Sequence, residues 1–165
     1  MKIGVISDTH FQTGHERLPE EVVEALSEVD LIIHCGDFCV YGVFENLKGI
    51  GKGEVLGVCG NMDSEEVRKA LPQRVVFELE GHQIGVIHGS GPPDGIKERI
   101  RGAFRDIEGI ELIIYGHTHA PSNEVVEGIL FFNPGSPTDK IFAKYNSYGI
   151  ITVEEDDITG EIIQI

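Results

Sequence analysis

The chain reads as an α/β fold in which two packed mixed β-sheets are flanked by helices. Three features predict this. Up to Leu71, β-branched apolar runs alternate with helix patterns. From Arg74 onward strands dominate, and several come in hairpin pairs. Apolar runs in both halves end on an Asp, an Asn or a His, as expected where parallel strands deliver residues to one sheet edge.

The elements follow in order. Lys2 to Ser7 is a β-branched apolar run and reads as a strand. Pro19 to Ser27 reads as a helix, with proline in its first turn and Val22, Val23 and Leu26 as its apolar stripe. Leu31 to Cys35 is a second strand, and Val43 to Leu47 a short helix. Glu54 to Cys59 is a third strand. Ser64 to Leu71 is a helix that Ser64 caps and Pro72 follows. This order implies parallel strands joined by right-handed crossovers. Arg74 to Leu79 and Gln83 to Ile87 flank Glu80-Gly81-His82, a hairpin signal. Asp94 to Phe104 has a helix pattern, and Glu111 to Tyr115 is a further buried strand. Asn123 to Val126 and Ile129 to Phe132 flank Glu127-Gly128, a second hairpin. Ser147 to Val153 and Glu161 to Ile165 flank a polar turn with Asp156, Asp157 and Gly160. No linker, repeat or low-complexity segment interrupts the chain, so residues 1–165 are expected to form one domain.

Composition narrows the partners. The net charge is -15, which disfavours a nucleic-acid polymer, since phosphate tracks need basic patches. A small phosphate ester remains compatible, because bound divalent cations reverse the local potential. No apolar run approaches the ~20 residues of a membrane helix. The chain starts directly in a strand that leads to Asp8, and signal cleavage would remove that residue, so a cytoplasmic location is expected. Cys35, Cys39 and Cys59 have neither the count nor the spacing of a disulfide framework or a zinc site. A homo-oligomer is compatible with the sequence, twofold assemblies being common.

Five segments carry the chemistry: Asp8-Thr9-His10, Gly36-Asp37, Gly60-Asn61-Met62-Asp63, His88-Gly89 and Gly116-His117-Thr118-His119. Each follows an apolar strand. The neighbouring glycines permit tight turns and close backbone approach where ligands crowd. An isolated Asp after a strand is usually a cap or a turn residue, and a lone His88 would more often be a hydrogen-bonded core histidine. Together the segments form a mixed imidazole and oxygen donor set, the ingredients of a two-metal hydrolytic centre. Such donors suit Mn, Ni, Co, Fe or Zn without a sharp choice; two divalent ions are expected, with Mn ranked first.

These blocks resemble the calcineurin-like metallophosphoesterase superfamily, whose pattern runs Asp-x-His, Gly-Asp, Gly-Asn-x-(Asp/Glu), His-Gly and Gly-His-x-His. Within it the chain is similar to the small single-domain YfcE-like phosphodiesterases, which also carry the Asn-Pro-Gly-Ser seen here at Asn133 to Ser136. The resemblance runs from Ile3 to about Ser136. It implies a four-layer αββα sandwich. It also implies Asp8, His10 and His119 on a first metal, Asn61, His88 and His117 on a second, and Asp37 as the bridge. A hydroxide between the ions would attack a small phosphate diester, with Asp37 and Asn61 the residues implied to be catalytic. Many members have a His after the Asn of the third block. Here it is Met62, which cannot protonate a leaving group, so esters with acidic leaving groups are expected to be favoured. A phosphomonoesterase on the same metals is one alternative. A non-catalytic scaffold like the retromer subunit of this fold is another, although all seven ligand positions are kept here.

Other polar residues receive plainer readings. His34 lies in a strand and is expected to be satisfied by hydrogen bonds, His82 to lie in a turn, and His15 on the surface. Asp63 is expected to orient a neighbouring group or cap the next helix. Arg17, Arg68 and Lys97 are candidate substrate contacts but read first as surface charges. Glu154 to Asp157 is expected to be an exposed turn, and Asn133 to Pro137 a tight turn at the site rim without assigned chemistry.

Overall fold

A computed structural model describes residues 1–165. Its elements are β1 (Lys2–Ile6), α1 (Glu20–Ser27), β2 (Leu31–His34), α2 (Tyr41–Leu47), β3 (Glu54–Gly57), α3 (Glu65–Ala70), β4 (Arg74–Leu79) and β5 (His82–Ile87). There follow α4 (Ile96–Ala103), β6 (Ile110–Ile114), β7 (Ser122–Val126), β8 (Ile129–Asn133), β9 (Ser147–Glu154) and β10 (Asp157–Gln164).

The strands form two five-stranded mixed sheets, ordered β10-β9-β1-β2-β3 and β4-β5-β6-β8-β7. In the first, β1, β2 and β3 run parallel, with Ile3 opposite Leu31 and Leu31 opposite Glu54. In the second, β5, β6 and β8 are parallel, and β4 and β7 close the edges antiparallel. The late hairpin β9–β10 returns to the first sheet, where Gly4 pairs with Ile150.

Side-chain alternation explains the layering. Ile3, Val5 and Ile33 point inward and meet Ile84, Val86, Leu112, Ile114 and Phe132 of the second sheet. The alternate residues Ile6 and Ile32 face outward onto Val22 and Leu26 of α1, Val43, Phe44 and Leu47 of α2, and Val67 of α3. Ile113 and Phe131 face outward onto Ile96 and Ile100 of α4. Central strands are thus buried on both faces, which is why they read as unbroken apolar runs. Full burial of each such side chain contributes ~1.5–3 kcal/mol.

Ser64 caps α3 by accepting from the Val67 N–H, as the sequence predicts. Both central residues of each tight hairpin have positive φ, Glu80 and Gly81 in one and Glu127 and Gly128 in the other, the type I′ geometry. Two expectations are corrected. His82 is the first residue of β5 and is 9% exposed, because the turn needs only Glu80 and Gly81. Strand β10 starts at Asp157 and not at Glu161, since pairing with β9 continues through the polar residues up to Glu154. No helix is long and apolar enough to cross a membrane.

Candidate metal centre

All five predicted segments leave the carboxyl ends of parallel strands β1, β2, β3, β5 and β6, and the structure brings them together at one edge of the sandwich. Close packing there depends on absent side chains. A Cβ on Gly60 would lie 2.2 Å from Asp37 Oδ1, and one on Gly116 1.9 Å from Ser7 Oγ.

Each carboxylate is held by one oxygen. Asp8 Oδ2 accepts from the His117 N–H at 3.0 Å, and Asp37 Oδ1 accepts from the Met62 N–H at 2.7 Å. The other oxygen of each faces the centre. Asp37 turns Oδ2 inward, 3.7 Å from His10 Nε2 and 3.3 Å from His88 Nε2.

Three imidazoles are oriented in the same manner. His88 donates from Nδ1 to the Cys35 carbonyl at 2.7 Å, His117 from Nε2 to the Gly91 carbonyl at 2.8 Å, and His119 from Nδ1 to Asp139 at 2.5 Å. In the neutral ring the remaining nitrogen of each carries a lone pair, and it points inward. His88 Nε2 and His117 Nδ1 lie 3.2 and 3.1 Å from Asn61 Oδ1. His119 Nε2 lies 3.1 Å from His10 Nε2 and 3.4 Å from Asp8 Oδ1. Acceptor atoms at such separations repel unless a cation or a proton sits among them.

The electrostatics agree. Burial alone would lower the His88 pKa, yet Asp37 and Asp8 outweigh it and raise it to about 9. Burial raises the Asp8 pKa in spite of the neighbouring histidines. Asp8 Oδ1 is buried and has no hydrogen-bond partner at all. Such an atom is costly when left bare. Two groups are spaced to hold an ion, Asp8 with His10 and His119, and Asp8 with Asp37 and His88. The residues present therefore fit divalent cations on their donor chemistry and on this orphaned oxygen.

The surrounding residues fix this arrangement. Asp63 accepts N–H bonds from Asp37, Cys39 and Gly60 at 3.1, 2.7 and 2.7 Å, so it ties the β2 and β3 loops and leaves helix capping to Ser64. His34 accepts from the Gly36 N–H and donates to Thr9 Oγ1, and it stays neutral because burial, then His88, hold its pKa well below the usual value. Of the turn Asn133 to Pro137, Pro137 reaches the cleft rim as expected, whereas Asn133 and Ser136 lie beneath it at 0% exposure, Asn133 donating to the Gly116 carbonyl and Ser136 to the Asp8 carbonyl. Arg68 donates to the Asn61 carbonyl, and Lys97 pairs with Glu124 away from the centre.

Asp139 is the residue that sequence reasoning missed. It also accepts from the N–H groups of Ile141, Phe142 and Ala143. Burial pushes its pKa up, but these donors and His119 outweigh that and bring it down to about 2. Its only local signal is an acidic residue opening a loop, which is common.

A cleft of about 1120 Å³ opens over His10, Asp37, Asn61, His117 and His119. A smaller recess of about 510 Å³ lies beside Asn61 and His88 and holds Arg68, Gln73 and Ser90.

Comparison with known proteins agrees with this architecture. The model of the calcineurin-like phosphoesterase superfamily domain matches residues 1–156. A probable metallophosphoesterase of Methanocaldococcus jannaschii is 42% identical over 139 residues, covering 84% of this chain and 69% of that protein. A phosphodiesterase of the same organism is 29% identical over 149 residues, covering 82% and 83%. The crystal structure of Entamoeba histolytica Vps29 in complex with zinc shares the fold, with a TM-score of 0.76 at 21% identity over 99% of both chains. From the matched domain and the first of these relatives, the chain belongs to the calcineurin-like phosphoesterase superfamily.

Proposed function

We propose that the protein is a metal-dependent phosphodiesterase that hydrolyses small phosphate diesters at a dinuclear centre. Asp8, His10 and His119 would hold one ion and Asn61, His88 and His117 the other, with Asp37 turned toward His10 of the first group and His88 of the second. The observation that carries this reading is the convergence of lone-pair-bearing nitrogens and oxygens at 3.1–3.9 Å, with an unpartnered Asp8 Oδ1 among them. When bound, the ion pair supplies an acidified water and positive charge against the phosphoryl oxygens. The chain's own part is to hold the donors in place before substrate arrives. Backbone donors lock the outer oxygen of each carboxylate, and fixed acceptors set the tautomers of His88, His117 and His119.

Diesters are favoured over monoesters by the relative named a phosphodiesterase and by the two recesses that meet at Asn61, one for each substituent. Met62 is 59% exposed at the cleft and offers no proton, so the leaving group departs with its charge or takes a proton from water or from another residue of the cleft. A protein-interaction scaffold is supported only by the Vps29 likeness and by Met62, and a scaffold has no need of the complete donor set.

The test uses metal-stripped protein, with Mn, Ni, Co, Fe and Zn added back separately. Hydrolysis of bis-p-nitrophenyl phosphate is compared with that of p-nitrophenyl phosphate. Metal-dependent diester turnover that disappears in Asp37→Ala is the expected result. Faster turnover of the monoester, or two bound ions without turnover, would overturn the proposal.

A further inference from the structure

Only five large apolar side chains are markedly exposed: Met1, Met62, Val125, Ile141 and Phe142. Three of them, Met62, Ile141 and Phe142, border the cleft over the metal centre. Ile141 and Phe142 are 81% and 76% exposed, yet they stand on a built loop. The Asp139 carboxylate gathers the N–H groups of residues 141–143, and Asn146 Nδ2 donates to the carbonyls of Ser136 and Asp139. The Phe142 ring meets His119 edge-on, with centroids 5.6 Å apart and planes at 89°, so its exposed surface is left to the cleft. The cleft is much larger than a phosphate group requires, and its walls also carry the cations Arg17 and Lys140 beside the carboxylates of Glu16 and Asp139.

We infer that Met62, Ile141 and Phe142 form a subsite for a planar aromatic substituent, an aryl or nucleobase ring, carried by the phosphodiester. This inference rests on the phosphodiesterase reading and narrows its substrate class. Phe142 presents a ring for stacking or edge contact with a flat group. Met62 supplies a polarizable sulfur suited to aromatic contact, and Ile141 adds exposed apolar surface to the same cleft. Arg17 and Lys140 suit the anionic part of the same ligand. Because the loop is pinned through Asp139, which also orients His119, the aromatic group and the phosphoryl centre are held in one fixed relation. A protein surface would present the same apolar side chains, but these line a concave cleft directly over the donor set, which favours a small ligand.

The experiment measures binding of diphenylphosphinate and dimethylphosphinate to the Mn-loaded protein by calorimetry. Both anions resist hydrolysis. Hydrolysis of bis-p-nitrophenyl phosphate is followed in parallel. The parent should bind the diphenyl anion about tenfold more tightly, equivalent to ~1.4 kcal/mol. Phe142→Ala together with Ile141→Ser should abolish the preference, and Phe142→Leu should retain only part of it. These side chains are exposed, so the substitutions do not threaten the core. Turnover without the preference would overturn the subsite and leave the phosphodiesterase reading standing. The preference without turnover would do the reverse. A preference that survives the double substitution would also overturn the subsite and assign these side chains to a protein surface.

Discussion

Substituting Asp139 by Ala tests whether a residue that donates nothing to the centre controls its affinity. The Asp139 side chain is 7% exposed and, with a pKa near 2, ionised throughout the neutral range. It fixes the His119 ring through Nδ1 and raises the electron density available at Nε2, the nitrogen that faces Asp8. Loss of such a partner costs ~10–100-fold in metal affinity, equivalent to ~1.4–2.7 kcal/mol. A second cost falls on the loop. The N–H groups of Ile141 and Phe142 belong to exposed residues and can turn to water, whereas that of Ala143 is partly buried. That one group sets a loss of about 1 kcal/mol in the stability of the metal-free protein. For the dinuclear centre proposed above, calorimetric titration of metal-stripped protein with Mn should show one ion weakened and the other much less affected. Urea unfolding without metal gives the second quantity. Asp139→Asn, which keeps an acceptor oxygen but not the charge, should fall between parent and Ala. If Asp139→Ala binds both ions as tightly as the parent, the His119 contact is incidental and the reasoning fails.

Gly60→Ala should destabilise by about 1–3 kcal/mol in urea, because the new Cβ meets Asp37 Oδ1 and the Asp37 backbone N at 2.2 and 2.7 Å; parent-like stability would mean that the β3 loop yields freely. Met62→His should speed esters with poor leaving groups by up to ~100-fold while leaving p-nitrophenyl esters little changed, and an equal effect on both would exclude a missing acid as the cause. His82 donates from Nδ1 to Glu111 and from Nε2 to the Glu154 carbonyl, and the Glu111 contact chiefly raises its pKa above 6.5. A raised pKa gives stability that is complete below 6.5 and is lost as pH rises through the folded value. The urea midpoint of the parent should therefore lead that of His82→Gln in mild acid and converge with it in base; a gap independent of pH would show that the ion pair contributes nothing.

The legible parts of this molecule are those where one residue's chemistry matches its place in a strand. The apolar runs from β1 to β3 are continuous because both faces are buried, and each stops where a polar donor begins. The helix starting after Ser64 announced itself by its cap. Pairing between distant strands was not legible. Nothing local in Ser147 to Val153 says that it lies beside β1 and not beside β8, since both sheets offer an apolar inner face. His82 misled for a related reason. Beside a turn glycine it looks like a loop residue, and only its distant partners Glu111 and Glu154 explain its burial. Asp139 had no legible role because the contact that defines it spans twenty residues of chain.

The backbone of the centre carries the deepest illegibility. Asp8, His10, Asp37, Cys39, His117 and His119 all have φ between 51° and 71°, a region that L side chains seldom enter. Each such residue costs of order 1–3 kcal/mol. Asp and His enter this region more readily than most residues, and Asp8, His10, Asp37, His117 and His119 combine that tolerance with side-chain donor atoms. The strain persists because bonds from several elements hold it. The Asp8 and His10 N–H groups donate to the carbonyls of Gly36 and Asp37, and the His117 N–H donates to Asp8 Oδ2. From below, Ser136 donates to the Asp8 carbonyl and Thr138 to the Thr9 carbonyl. The segment from Asn133 to Asp139 thus supplies no inward-facing donor atom and is nonetheless part of the centre. It holds the first donor loop in a conformation that the loop would not keep alone, and it turns His119 through Asp139. The donors converge on a backbone that these bonds hold in a strained conformation. The same strain made the site invisible as backbone and visible only as a pattern of side chains.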